Sequence, residues 1–200
     1  MAGELVVTGG RVVDPGRDVD AVGDVAFRDG RVAESVGPDA RRLDAAGDIV
    51  VPGMIDMHAH VYWGGTSLGI DGDALAKRAG TTTWLDVGSA GAGNFEGFQR
   101  HVIERSETRI LALLHVSFAG IFAFSKDVMV GESRDRDLLE PKVCARVAMA
   151  HPELIRGIKV RIGARTSGVN GLAPLHLAIE AADRAGLPVM CHIDDMPPTY

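Results

Sequence analysis

Apolar and polar positions along the chain fall into two rhythms. Up to residue 52 the apolar runs are short and broken by turn signals. Leu5–Thr8 is apolar and rich in β-formers, Gly9-Gly10 reads as a turn, Arg11–Val13 resumes, and Asp14-Pro15-Gly16 reads as a second turn. Asp24–Arg28, Asp29-Gly30 and Arg31–Val36 read as a hairpin, because Asp-Gly supplies the backbone angles of a two-residue loop. Ile49–Val51 ends the segment before Pro52-Gly53. Residues 1–52 are therefore expected as a small all-β module, marginal as an independent core at about 50 residues.

From Met54 the rhythm becomes strand, loop, helix, repeated. Strands are expected at Met54–Met57, Thr81–Val87, Arg109–Val116, Leu154–Arg161 and Leu187–Ile193. Helices are expected at Asp71–Ala79, Phe95–Ser106, Leu138–Ala150 and Leu172–Ala185, with Asp71 as an N-cap and Gly80 and Gly186 as stops. Alternation at this spacing predicts a parallel sheet with right-handed crossovers, an α/β fold. Five such units are fewer than the eight of a closed βα barrel, which takes about 250 residues. Residues 53–200 are expected as the first part of a (β/α)8 barrel. The end, Asp194 to Tyr200, reads as loop.

Composition narrows the function classes. The chain has 200 residues, 46% hydrophobic and 24% charged, with a net charge of -6. No basic stripe stands out, so a nucleic-acid partner is not expected. The longest apolar stretch, Ile110–Val116, is interrupted by His115 and far too short to cross a bilayer. The first ten residues carry Glu4 and lack a basic start and a cleavage site, so no secretory signal is expected. Two cysteines, Cys144 and Cys191, make no disulfide framework, and a cytoplasmic location is the expectation. A small-molecule substrate is expected, and a homo-oligomer is left open.

Three strand ends carry candidate chemistry. In Val51-Pro-Gly-Met-Ile-Asp-Met-His-Ala-His60, alternation puts His58 and His60 on one face, where two imidazoles can share a metal ion. Two polar residues at a strand end is the plainer alternative. In Gly157-Ile-Lys-Val-Arg161, Lys159 interrupts an apolar run, and a buried ammonium is costly without a partner. It either reaches solvent, pairs with an acid, or sits as a neutral amine near cationic metals, where it can add carbon dioxide and become an anionic carbamate. Leu187-Pro-Val-Met-Cys-His192 ends another apolar strand in His192. Around these, Tyr62, Ser89, Asn94, His115 and Arg161 are candidate substrate contacts. For His115 core packing competes, and for Arg161 a structural salt bridge competes with a substrate carboxylate. Asp86 is expected to pair with backbone or an arginine, His176 to pack, and His101 and His151 to serve at helix surfaces or ends.

These residues resemble the amidohydrolase superfamily, in its amidohydrolase/deacetylase branch related to dihydroorotase. The resemblance rests on Pro52-Gly-Met-Ile-Asp-Met-His-Ala-His-Val-Tyr62, on the stretch from Gly80 through Asp86 to Phe98, on Gly157–Arg161, on Leu187–His192, and on Gly10-Arg-Val-Val-Asp-Pro15. It implies two divalent metal ions, zinc by expectation. His58 and His60 would hold one and His192 the other, with a carbamate on Lys159 as the catalytic bridge. A metal-bridging hydroxide would cleave an amide or ester carbonyl of small N-acyl or O-acyl acids. The family's sixth-strand histidine and eighth-strand aspartate, the general base, have no counterpart here. The strands that complete the β-sandwich portion are also without one. The chain is therefore expected to be a fragment, inactive alone or complemented by a second chain. A cyclic amidase of dihydroorotase or hydantoinase type and a non-catalytic assembly subunit are the alternatives.

Overall fold

The computed structural model describes residues 3–196. The chain divides into two units, Met1–Gly53 and Met54–Tyr200.

The first unit is a five-stranded sheet: β1 (Leu5–Asp14), β2 (Val19–Arg28), β3 (Arg31–Ala33), β4 (Arg41–Asp44) and β5 (Ile49–Val50). Strand β1 is central, antiparallel to β2 and parallel to β4 and β5. Asp29 and Gly30, both at positive φ, make the expected hairpin turn from β2 to β3. Gly9-Gly10 is not a turn. The strand runs through it with a bulge, its register to β2 shifting between Val7 and Gly10. Gly9 takes φ +73 and donates its N–H to Asp24. Gly10 has no room for a side chain, since a Cβ would lie 2.6 Å from Val50 Cγ2. Strand β4, with its two consecutive arginines, carries no alternation from which to read it.

The second unit has one five-stranded sheet, every neighbouring pair parallel. Its strands are β6 (Met54–Ala59), β7 (Thr81–Gly91), β8 (Arg109–His115), β9 (Ile155–Ile162) and β10 (Val189–Ile193), side by side in chain order. Helices α1 (Gly72–Ala79), α2 (Phe95–His101), α3 (Pro141–Ala150) and α4 (Ala173–Ala185) fill the crossovers. This is the expected α/β half-barrel. Asp71 caps α1 by accepting the Ala74 N–H, and Gly80 ends it in the left-handed conformation.

Two helices are shorter than their apolar patterns suggest. The α2 helix stops at His101, where Val102 leaves helical geometry and Ile103–Arg105 continues as a 3-10 turn. The α3 helix begins only at Pro141. Proline forces Glu140 into an extended conformation, and Glu140 then caps the helix. His176 is exposed on α4 rather than packed, because the helix buries Pro174, Ala178, Ala181 and Ala182 instead.

Trp84, Phe95, Phe98, Leu114, Ile155 and Ile158 are the large apolar members of the core. Among the described residues no helix is long and apolar enough to cross a membrane. Of the loop expected at the end, residues 197–200 lie outside the described residues.

Candidate metal centre

The sheet curls, and the curl builds the site. Four strand spacings separate β6 from β10, about 19 Å if the sheet were flat. Yet the ring of His58, one residue before the end of β6, lies 5.9 Å from the ring of His192 on β10. The His60 ring, just past β6, lies 6.0 Å from that of His58. Lys159 projects from β9 between them in chain order. It is fully buried, and its charge bears on all three imidazoles. The four residues proposed as ligands are thus gathered at one end of the half-barrel.

Electrostatics disfavours protonation of these nitrogens. Burial first, then the nearby Lys159 charge, lowers all three histidines, His60 to about 4. Lys159 itself is brought down to about 8, by burial and then by the Arg161 guanidinium. Among the described residues no carboxylate lies within ion-pair distance of it, and the one hydrogen-bonding partner of its Nζ is the Met190 sulfur, at 3.6 Å. A buried amine with no acid beside it has reason to shed its proton.

A second layer fixes the rings. His60 Nδ1 lies 3.0 Å from Ser89 Oγ. With the proton on Nδ1 donated to that hydroxyl, Nε2 keeps a free lone pair. Asp86, fully buried in β7, accepts the Val61 N–H and the Ser89 N–H, each at 2.8 Å. It thereby ties the chain just past His60 to the segment that carries Ser89. Burial pushes its carboxyl up to about 6 despite those donors. Asp86 thus pairs with backbone, one of its two expected roles.

Gly88 gives Lys159 its room. It sits at φ +93, and a Cβ there would meet Lys159 Cγ at 2.4 Å and His115 Cδ2 at 3.1 Å.

Other candidates divide. Ser89 is in the cluster. Tyr62 stacks on Phe98, 4.7 Å between ring centres, and its hydroxyl reaches the Asn94 carbonyl at 3.4 Å. The Asn94 amide accepts from Gly91 N–H and donates to the Ala119 carbonyl, so it ties two loops together. His115 is fully buried, with Nδ1 accepting the Ser117 N–H. Arg161 is buried between two carboxylates, with Nε 3.5 Å from Glu132 and a terminal nitrogen 3.9 Å from Asp194, while its guanidinium lies over the Phe124 ring. Sequence alone does not mark Glu132 or Gly88. Glu132 lies in a loop with no periodicity, and Gly88 is one of many glycines.

Known proteins resemble the chain in a consistent way. No protein-family model matches it. A protein named deacetylase from Agrobacterium fabrum is 34% identical over 162 residues, which is 81% of this chain and 39% of the relative. One named deacetylase from Brucella anthropi is 35% identical over 162 residues, 81% of this chain and 40% of the relative. The crystal structure of a dihydroorotase superposes with a TM-score of 0.87 at 28% identity, covering all of this chain and 53% of its own. The chain belongs to the amidohydrolase superfamily. It spans about 40% of the length of the curated deacetylases it matches.

Whether the residues of this superfamily member suit a metal is a matter of donors and spacing. Two imidazoles on one tetrahedral zinc, with bonds of about 2.0–2.1 Å, stand about 5 Å apart between ring centres. The 6.0 Å between His58 and His60, the pair expected on one ion, is within about an ångström of that. Among the described residues no three His, Cys, Asp or Glu side chains already converge on one point. The donor set fits only when Lys159 is counted with the histidines.

Proposed function

We propose that the protein hydrolyses an amide or ester carbonyl of a small N-acyl or O-acyl acid at a centre of two divalent metal ions, zinc by preference. The observation that carries this is the gathering of three imidazoles around a buried lysine that, among the described residues, has no carboxylate within ion-pair distance. His58 and His60 would hold one ion and His192 the other. Lys159 would bridge them as a carbamate, its neutral amine forming an N–C bond to carbon dioxide and releasing a proton. Metal bound there would supply a hydroxide at neutral pH and polarise the carbonyl under attack.

The rest falls to the chain's own side chains. Ser89 Oγ, 3.0 Å from His60 Nδ1, would accept a hydrogen bond from that nitrogen and so present Nε2. Asp86 holds the backbone of Val61 and Ser89 in place. Gly88 leaves the lysine stem its path. The likeness to a dihydroorotase structure favours cyclic amide hydrolysis as the second reading.

The test is a pair of measurements on the wild-type chain and Lys159→Ala. Zinc per chain is measured with and without bicarbonate, and hydrolysis is assayed on N-acetyl and O-acetyl acids against cyclic amides. Bicarbonate-dependent zinc uptake that Lys159→Ala abolishes supports the metal centre. Equal uptake by both chains overturns it. Turnover of the cyclic amides alone replaces the deacylase reading with the second.

A further inference from the structure

We infer that Glu132, from the segment after β8, is a positioning residue for this centre, holding His115, on the strand beside Lys159, and Arg161, on the strand that carries Lys159. The inference rests on the metal reading above.

Glu132 is 6% exposed. Its Oε1 lies 3.6 Å from His115 Nε2 and 3.5 Å from Arg161 Nε. All three atoms are buried without a hydrogen-bond partner among the described residues. His115 accepts the Ser117 N–H at Nδ1, so its neutral ring carries the proton on Nε2, facing the carboxylate. Burial raises the Glu132 carboxyl, but His115 and the Arg161 charge more than offset it. In strand register His115 is the partner of Lys159, and Arg161 follows Lys159 by two residues. One anion therefore faces both side chains that border the lysine.

The spacing argues for placement rather than simple stabilisation. A charge-assisted N–H···O bond closes to about 2.7–2.9 Å. Glu132 instead stands nearly equidistant from two donors and bonds to neither. The backbone holds it there. The Ser133 N–H donates to the Thr166 carbonyl at 3.1 Å. The Asn170 amide donates to the Ser133 and Arg134 carbonyls at 3.0 and 2.7 Å. At Gly131 a Cβ would be 2.3 Å from the Arg165 carbonyl oxygen, so the two loops pack backbone to backbone. Removing the charge leaves a permanent guanidinium cation near Lys159 with Asp194, at 3.9 Å, as the one carboxylate beside it among the described residues.

The experiment compares the wild-type chain with Glu132→Gln and Glu132→Asp. Three quantities are read: melting temperature, zinc affinity in bicarbonate, and the NMR resonances of the His115 Nε2–H and Arg161 Nε–H. The expected result is a Glu132→Gln chain that stays folded but melts below wild type, binds zinc about 10–100-fold more weakly, and shows both resonances displaced. Glu132→Asp should recover part of the affinity. Wild-type affinity and unmoved resonances in Glu132→Gln would overturn the inference, and so would a lower melting temperature with those two unchanged. If the wild-type chain takes up no zinc, the metal reading fails. The resonances alone then decide whether Glu132 holds the two side chains.

Discussion

The two units build sheets of equal strand number by different means. In residues 3–53 the only buried apolar side chains are Val6 and Ala45, while Val22, Val32, Leu43, Ile49 and Val51 are largely exposed. That sheet is specified by its turns, its bulge and its register. In the second unit Trp84, Phe95, Phe98, Leu114 and Ile158 are almost fully enclosed, and so are Asp86, His115 and Lys159. Burying charge is costly, and only a densely packed frame holds such groups where water would otherwise draw them out. Every candidate ligand lies in the unit with that frame.

The contrast can be broken by mutation. The largest effect is expected at Phe98, which has no exposed surface. Phe98→Ala should destabilise the second unit by about 3–5 kcal/mol in urea unfolding followed by Trp84 fluorescence. Gly88→Ala comes next, at about 2–4 kcal/mol, because it adds a clash with the Lys159 stem to an unfavourable φ. It should also weaken zinc binding, which calorimetry would register.

Asp73 gives a smaller and pH-dependent effect. Burial raises its carboxyl, but Thr108, Ser106 and the N–H groups of Glu107 and Thr108 outweigh that and hold it at about 2, below its ordinary 3.8. The folded state therefore favours the carboxylate. Its contribution is complete above about pH 4 and is lost as pH falls toward 2. Asp73→Asn should cost about 1–3 kcal/mol at pH 7 and flatten the acid limb of a stability–pH curve. An unchanged limb would remove Asp73 from the account. At the small end, Val32→Ala in the first unit should stay within about 0.5 kcal/mol. A cost as large as that at Phe98 would erase the contrast between the units.

The sequence announced what depends on local pattern. The five parallel strands showed as apolar runs, the start of α1 as Asp71, and its end as Gly80. His58, His60, Lys159 and His192 stood out because polar side chains closed or interrupted apolar strands. What stayed hidden depends on contacts distant in the chain. Glu132 meets Arg161 from 29 residues away in sequence, and nothing near it in the loop marks the meeting. Gly88 looks like any strand glycine until Lys159 is seen beside it. Gly9-Gly10 reads as a turn because two glycines permit one. The bulge is decided by Asp24 and Val50 across the sheet. Arg161 reads as a substrate contact or a structural salt bridge, and its two flanking carboxylates, Glu132 and Asp194, come from distant loops.

The most direct test of the metal centre is carbon-13 NMR of the zinc-loaded chain supplied with labelled bicarbonate. A carbamate carbon should appear in the wild type and vanish in Lys159→Ala, with zinc lost alongside it. Zinc held tightly by the wild-type chain with no carbamate signal would contradict the role given to Lys159.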